Sequence, residues 1–317
     1  MADPALALPL VSVIIPCFNY GHFLTLALES IERQAYPRLE TIVVDDGSSD
    51  STAQVAMTHR VTLLRQNNHG LSAARNAGLA VARGEFVLFL DADDELLPGS
   101  IAAGVEALAA DHHAAGVVRP CQVIDSQGTV LPAKYPFIAA GDDLYRHWLR
   151  QNFVWTPGAA MFRRAAVAEA GGFPTEVGAS ADYALYLQFA RSHRIAYQDR
   201  QAVRYRQHDR NMSRDPVLML KSTLAVYERE RPDVARPYKD AFRAGVAAAR
   251  AFYGEQIVER MRRGIRNRTD AAWRRAAVLT LLRHSPRIAF EHSARKLSRM
   301  TRGLPPAPVE PGRFHRD

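Results

Sequence analysis

Cysteine is scarce: Cys17 and Cys121 are the only two among 317 residues. That excludes a disulfide scaffold and makes a reducing compartment natural. No run of about 18 apolar residues exists, so no membrane span is expected. No basic segment followed by a long apolar stretch stands at the N-terminus, so no secretory leader is expected. No internal repeat is present, which sets aside repeat architectures. These absences together lead to the expectation of a cytoplasmic protein.

What is present is enough to build a large core, since 47% of the residues are hydrophobic. The formal net charge of +8 is unevenly placed. Residues 236–302 carry 17 Lys/Arg against 5 Asp/Glu, and the rest of the chain carries 24 against 28. A basic extension therefore follows a mildly acidic body. Its charge suits an anionic partner or a solvated helical face. Bases stack on aromatics placed among basic residues, and between Met261 and Arg302 only Trp273 and Phe290 qualify. No nucleic acid partner is therefore expected. Peripheral contact with the inner face of a membrane, through the basic C-terminal helices, is the expectation.

Apolar, β-branched runs at 11–15, 40–44, 61–65 and 85–90 read as strands. Helical patterns at 23–34, 51–58 and 71–82 alternate with them, and Ser49 and Asp50 are suitable caps for the second. Alternation of this kind predicts an α/β fold with a mostly parallel sheet covered on both faces. Further strands are expected within 115–131, at 159–163 and at 194–197, with helices from Arg164 and over 181–192. The segment 132–160 is loop-rich. Phe242, Val246, Ala249, Tyr253, Ile257 and Met261 form the apolar stripe of a later helix, and Thr269 is a candidate cap for another. The expected organisation is a tail over 1–10, a main domain over 11–235, a basic helical extension over 236–302 and a loose tail over 303–317.

In such sheets ligands bind beyond the carboxyl ends of the strands. Those exits read Pro16-Cys17-Phe18-Asn19, Asp45-Asp46-Gly47-Ser48 and Asp91-Ala92-Asp93-Asp94. The third crowds three carboxylates at the end of FVLFL. Buried like charges are unfavourable unless something positive sits on them. Mg²⁺ or Mn²⁺ shared with a substrate phosphate answers that need. A helix start capped by Asp93 or Asp94 is the other reading.

VSVIIPCFN, VVDDGSSDST, NNHGLSAARNAGL, FLDADD and the later GGF…ADYAL together resemble the family 2 glycosyltransferases, which have the nucleotide-diphosphosugar transferase (GT-A) fold. The resemblance is dense over 11–98 and looser over 155–213. It implies an inverting, metal-dependent transfer of a sugar from a nucleotide-diphosphate sugar, UDP-linked in the usual case, to a saccharide, lipid-linked or protein acceptor. It further implies that Asp46 accepts from the nucleotide base in a pocket opened by Pro16 and Asn19, where family members use the backbone. Asp91 would approach the ribose or the metal, and Asp93 would ligate Mn²⁺ or Mg²⁺. Arg75 would pair with phosphate or with the acidic cluster. His208 would stand near the metal or diphosphate, with Arg210 or Ser213 within reach of phosphate. Asp182 would be the base that deprotonates the acceptor hydroxyl. Here the sequence departs from the family, because Ala181 stands where a glutamate usually precedes the aspartate. Trp155 is a candidate platform for an acceptor sugar or a core aromatic.

Other classes fit less well. A sugar-phosphate nucleotidyltransferase would carry Arg or Lys in a Gly-rich loop after the first strand, but PCFNYGHF has neither. A glycoside hydrolase needs two carboxylates and no nucleotide pocket. A non-catalytic anion-binding module would account for the basic extension alone.

Overall fold

Strands that are apolar throughout must be covered on both faces. In the computed structural model, which describes residues 8–135, 138–139, 141–266 and 271–290, β1 (Val11–Cys17) is buried along its whole length. It is followed by α1 (Gly21–Glu32), β2 (Leu39–Asp45), α2 (Thr52–Met57), β3 (Thr62–Arg65), α3 (Leu71–Val81) and β4 (Phe86–Phe89). These are the expected elements, with ends displaced by a residue or two. One displacement has a physical reason. Pro16 lies inside β1 instead of ending it. A proline in a central strand removes a ladder donor. Pairing with β4 reaches only to Ile14 opposite Phe89, so no partner on that side asks for the missing N–H.

The chain continues through β5 (Glu95–Leu96), α4 (Ser100–Ala110), β6 (Ala114–Val118), β7 (Cys121–Asp125), α5 (Leu144–Arg150), β8 (Ala160–Arg163), α6 (Arg164–Glu169), α7 (Ala181–Ser192), β9 (Arg194–Tyr197) and β10 (Val203–Gln207). Seven strands form one sheet in the order β3-β2-β1-β4-β8-β6-β9. Only β8 runs against its neighbours, β4 and β6; the other pairings are parallel. A smaller sheet, β5-β10-β7, stands beside the acidic exit of β4. Four elements have no counterpart in the sequence patterns. β5 is only two residues long. α4 (SIAAGVEALAA) is so rich in small apolar residues that no polar stripe marks it. α5 sits in the loop-rich stretch, and β10 is the VRYRQ segment.

The chain divides into two compact units, Met1–Trp148 with Asn152–His208, and Leu149–Gln151 with Asp209–Asp317. The division falls after residue 208, whereas the charge composition shifts near 236. In the second unit, α8 (Pro216–Glu230), α9 (Lys239–Arg266) and α10 (Ala271–His284) share one core. Val217, Leu220 and Leu224 of α8 meet Ile257 and Val258 of α9 and Ala277 and Leu281 of α10. Asp215 caps α8 by accepting the Val217 N–H at 3.0 Å, and Pro216 occupies the first turn, where its missing donor is harmless. Thr269 and residues 303–317 lie outside the described residues. Among the described residues no helix is long and apolar enough to cross a membrane. Cys17 and Cys121 are free thiols, both buried.

Candidate active site

The exits of β1 and β2 are stitched together. The Asn19 N–H donates to Ser48 Oγ (2.9 Å), and the Ser49 N–H donates to Asn19 Oδ1 (2.9 Å). Asn19 adopts φ 58, a left-handed conformation that asparagine tolerates better than most residues. Asp50 accepts from the N–H groups of both Gly21 and Thr52, each at 3.0 Å, and so ties α1 to α2. Asp46 is buried and accepts three bonds: from Gln66 Nε2 (2.7 Å), the His69 N–H (2.9 Å) and the Gly70 N–H (2.8 Å). A carboxylate has about four lone-pair sites, so one is left. Asp45 accepts from the Ser48 N–H and Arg65 Nε and is structural.

The three acids after β4 have three environments. Asp94 is fully enclosed and accepts from Thr156 Oγ1 (2.5 Å) and the Arg206 N–H (2.9 Å). Burial first, then the charges of Asp93 and Asp91, push its carboxyl well above the usual range. Asp93 Oδ2 lies 2.9 Å from His208 Nε2. Asp91 Oδ1 accepts from Arg75 Nη2 at 2.7 Å, so Arg75 meets the acidic cluster directly. Burial raises the Asp91 carboxyl, Arg75 opposes that, and Asp93 adds to it.

Arg75 is buried, lies 5.0 Å from the Phe173 ring centroid, and has an Nε with no hydrogen-bond partner among the described residues. Its charge also reaches Asp182, in the first turn of α7. Asp182 Oδ1 accepts the Tyr183 N–H at 2.8 Å. Burial pushes its carboxyl up to about 6, with Arg75 pulling it down and Asp91 pushing it further up. The structure thus links Asp182, Arg75 and Asp91 in one electrostatic chain, with Asp93 and His208 adjoining it.

Several members of the site escape the sequence patterns. Tyr186 follows Asp182 by one helical turn, and its buried hydroxyl has no partner among the described residues. The i, i+4 spacing was the available signal. Tyr20 and Phe23 bracket the His208 ring at centroid distances of 5.5 and 5.0 Å. Arg206 pairs with Glu95 and donates to the Asp93 carbonyl at 2.9 Å. Trp155 stacks on Tyr135 at 4.3 Å. Arg210 and Ser213 belong to the second unit.

Among the described residues no three His, Cys, Asp or Glu side chains group into a set that could hold a metal ion. Asp93 and His208 form a pair that presents an oxygen and an imidazole, and Asp91 is turned to Arg75. The crowded carboxylates and raised Asp94 call for positive charge. This donor set fits a divalent cation that draws its remaining ligands from a diphosphate, as Mg²⁺ and Mn²⁺ do.

A family model described as Glycosyl transferase family 2 matches residues 12–171, half of the chain. A Campylobacter jejuni protein named GalNAc(5)-diNAcBac-PP-undecaprenol beta-1,3-glucosyltransferase is 43% identical over 101 residues, 30% of this chain and 33% of that protein. Other curated relatives at about 40% identity likewise match over roughly a quarter of this chain, and the chain spans about a third or less of their lengths. Staphylococcus aureus TarS 1–349, solved with UDP-GlcNAc, superposes with a TM-score of 0.63 at 20% identity, covering 86% of this chain and 79% of that one. The mannosyltransferase PcManGT of Pyrobaculum calidifontis, solved with GDP-Man and Mn²⁺, gives 0.58 at 21%, covering 92% and 81%. Both likenesses establish the GT-A type of fold.

Proposed function

The chain belongs to glycosyl transferase family 2, and from that premise we propose that it transfers a sugar from a UDP sugar to an acceptor hydroxyl with inversion at the anomeric carbon. The product belongs to surface polysaccharide, glycolipid or glycoprotein synthesis. The observation that carries the reading is the chain Asp182–Arg75–Asp91 beside the Asp93–His208 pair. It sets a candidate base near neutral pH next to a candidate cation–diphosphate site.

Asp182 takes the proton of the acceptor hydroxyl, and Oδ2 is the natural atom because Oδ1 holds the Tyr183 amide. The acceptor oxygen bonds to the anomeric carbon as the bond to the diphosphate oxygen breaks on the opposite face. Arg75 keeps Asp182 ionised and holds Asp91 in place. Asp93 and His208 would hold Mn²⁺ or Mg²⁺, with imidazole the better suited to Mn²⁺ of the two; when bound, the ion would supply positive charge to the departing diphosphate. Asp46 offers its remaining lone pair to a base N–H in the pocket opened by Pro16 and Asn19. UDP-GlcNAc in TarS, GDP-Man with Mn²⁺ in PcManGT and the relative named as a GalNAc(5)-diNAcBac-PP-undecaprenol glucosyltransferase support a nucleotide sugar donor and a lipid-linked or saccharide acceptor. In this reading the reaction runs in the cytoplasm, at the inner face of the membrane.

The test separates binding from turnover. Asp182→Asn is expected to bind UDP sugar as the parent does and to lose about 10²–10⁴ in turnover, the usual contribution of general base catalysis. Asp93→Ala is expected to lose metal-dependent nucleotide binding. Retained turnover in Asp182→Asn would sink the assignment of the base.

A further inference from the structure

Within the second unit, α10 is apolar on two sides. Ala277 and Leu281 are buried in the core shared with α8 and α9, and that packing accounts for one side. It does not account for Val278, Leu279 and Leu282, whose exposures are 42%, 67% and 59%, or for Phe290, exposed at 74% in the helical residues that follow. Large aliphatic side chains exposed together on one helix mark an interaction surface.

The outward residues share a face. Arg275, Val278, Leu279, Leu282 and Arg283 recur at the three- and four-residue spacing of one helical side, and all are exposed. Beyond the break in the helix at Ser285, Arg287 and Phe290 are exposed as well. Residues 271–290 contain no Asp or Glu. The basic character extends behind the face: His284 is pushed down by burial and then by Arg283, Arg250 and Lys221.

We propose that this face docks on an anionic lipid bilayer, with Leu279, Leu282 and Phe290 entering the headgroup–acyl boundary and Arg275, Arg283 and Arg287 meeting lipid phosphates. Aliphatic side chains at the centre with arginines at the margin are the composition of a helix lying in the membrane interface. Arginine stems cover apolar surface while their heads stay in the polar layer. The same composition disfavours the other occupants. A second copy seated on this face across a two-fold axis would gather the arginines of both chains in one interface with no carboxylate from this helix to pair them. A nucleic acid would meet aliphatic side chains where it needs stacking platforms.

The proposal goes beyond the transferase reading and does not depend on it, because a chain with no turnover would bind vesicles equally well. The experiment is co-sedimentation of the full chain with phosphatidylcholine vesicles, with and without about 30% phosphatidylglycerol, at low and high salt. The expected result is pelleting with the anionic vesicles that salt weakens. Arg275→Gln with Arg283→Gln is expected to weaken it on the order of 25-fold, since each basic residue near such a surface strengthens binding about fivefold. Leu279→Ser with Leu282→Ser is expected to abolish it and leave thermal unfolding unchanged, which separates loss of docking from loss of fold. Absence of pelleting by the parent chain overturns the proposal. So does equal pelleting of the parent and the Leu279→Ser/Leu282→Ser chain. A parent dimer that this variant converts to a monomer, with vesicle binding unaltered, assigns the face to a second copy and overturns it as well.

Discussion

Asn76 holds Phe173 by both of its backbone groups: Nδ2 donates to the Phe173 carbonyl at 2.9 Å, and Oδ1 accepts the Phe173 N–H at 2.8 Å. One carboxamide thereby ties α3 to the chain that leads into α7. The Phe173 ring lies against the Arg75 guanidinium, so the clamp extends to the Arg75–Asp91 pair. Gly172 permits the approach. It adopts φ +74, and a Cβ there would stand 2.4 Å from Asn76 Oδ1.

Breaking this clamp is expected to lower stability and turnover together. Gly172→Ala introduces both a left-handed alanine and a collision, and the conformational strain alone costs about 1–3 kcal/mol. Asn76→Ala leaves the Phe173 N–H and carbonyl unpaired, a loss of about 1–3 kcal/mol. Urea unfolding and turnover on the same preparations check this. Parent-like values for both variants would remove the clamp from the account of the site.

As the proposed base, Asp182 sets an expected pH dependence of turnover. A general base works only when ionised, so kcat/KM is expected to fall as pH drops through about 6, the value to which burial raises this carboxyl. Arg75 opposes that rise. Replacing its positive charge in Arg75→Gln makes the ionised carboxylate harder to sustain, so the acid limb is expected to move to higher pH. A pH profile of kcat/KM for both chains reads this directly. An acid limb that stays in place, or moves to lower pH, contradicts the coupling.

How much of this site the sequence carries depends on distance along the chain. The strand exits are legible because the acids stand immediately after buried apolar runs, as Asp91 and Asp93 do after FVLFL. The parallel pairing of β1, β2 and β4 is legible because each strand lacks polar alternation. The bracket of Tyr20 and Phe23 around His208, and the bond from Thr156 to Asp94, join residues far apart in sequence, and no periodicity encodes such meetings. The reversed direction of β8 is also invisible, since a short buried strand reads the same either way. α4 is hidden for the opposite reason, because its composition is too uniformly apolar to display a stripe.

Removal of the imidazole from the acidic cluster is expected to alter metal preference. His208 lies against Asp93 and between two aromatic rings, which fix its orientation. Imidazole is a better ligand for Mn²⁺ than for Mg²⁺. Titration calorimetry of UDP in Mn²⁺ should therefore show a loss of at least about tenfold for His208→Ala, and in Mg²⁺ a much smaller one. With EDTA the parent and the variant should become indistinguishable. Equal losses in the two metals would place His208 on the nucleotide and away from the ion.

At the opposite end of the strands, Glu40 should govern stability without touching chemistry. Its carboxylate accepts from Ser12 Oγ (2.5 Å), from the N–H groups of Arg83 (2.6 Å) and Gly84 (3.0 Å), and from Arg83 Nε (3.1 Å). Burial works against the charged form, but these bonds outweigh it and hold the carboxyl below its ordinary value of 4.5. A group lowered by folding stabilises the native state above its unfolded value, and the contribution disappears as pH falls through the folded value. Glu40→Gln retains the shape and loses the charge, so it should cost about 1–3 kcal/mol near neutral pH. The two chains should converge as pH falls below 4.5 and through the lowered folded value, because the parent carboxyl is then protonated as well. Urea unfolding near neutral pH and in acid measures the gap. A gap that persists undiminished in acid would mean that the charge of Glu40 is not what the four donors stabilise.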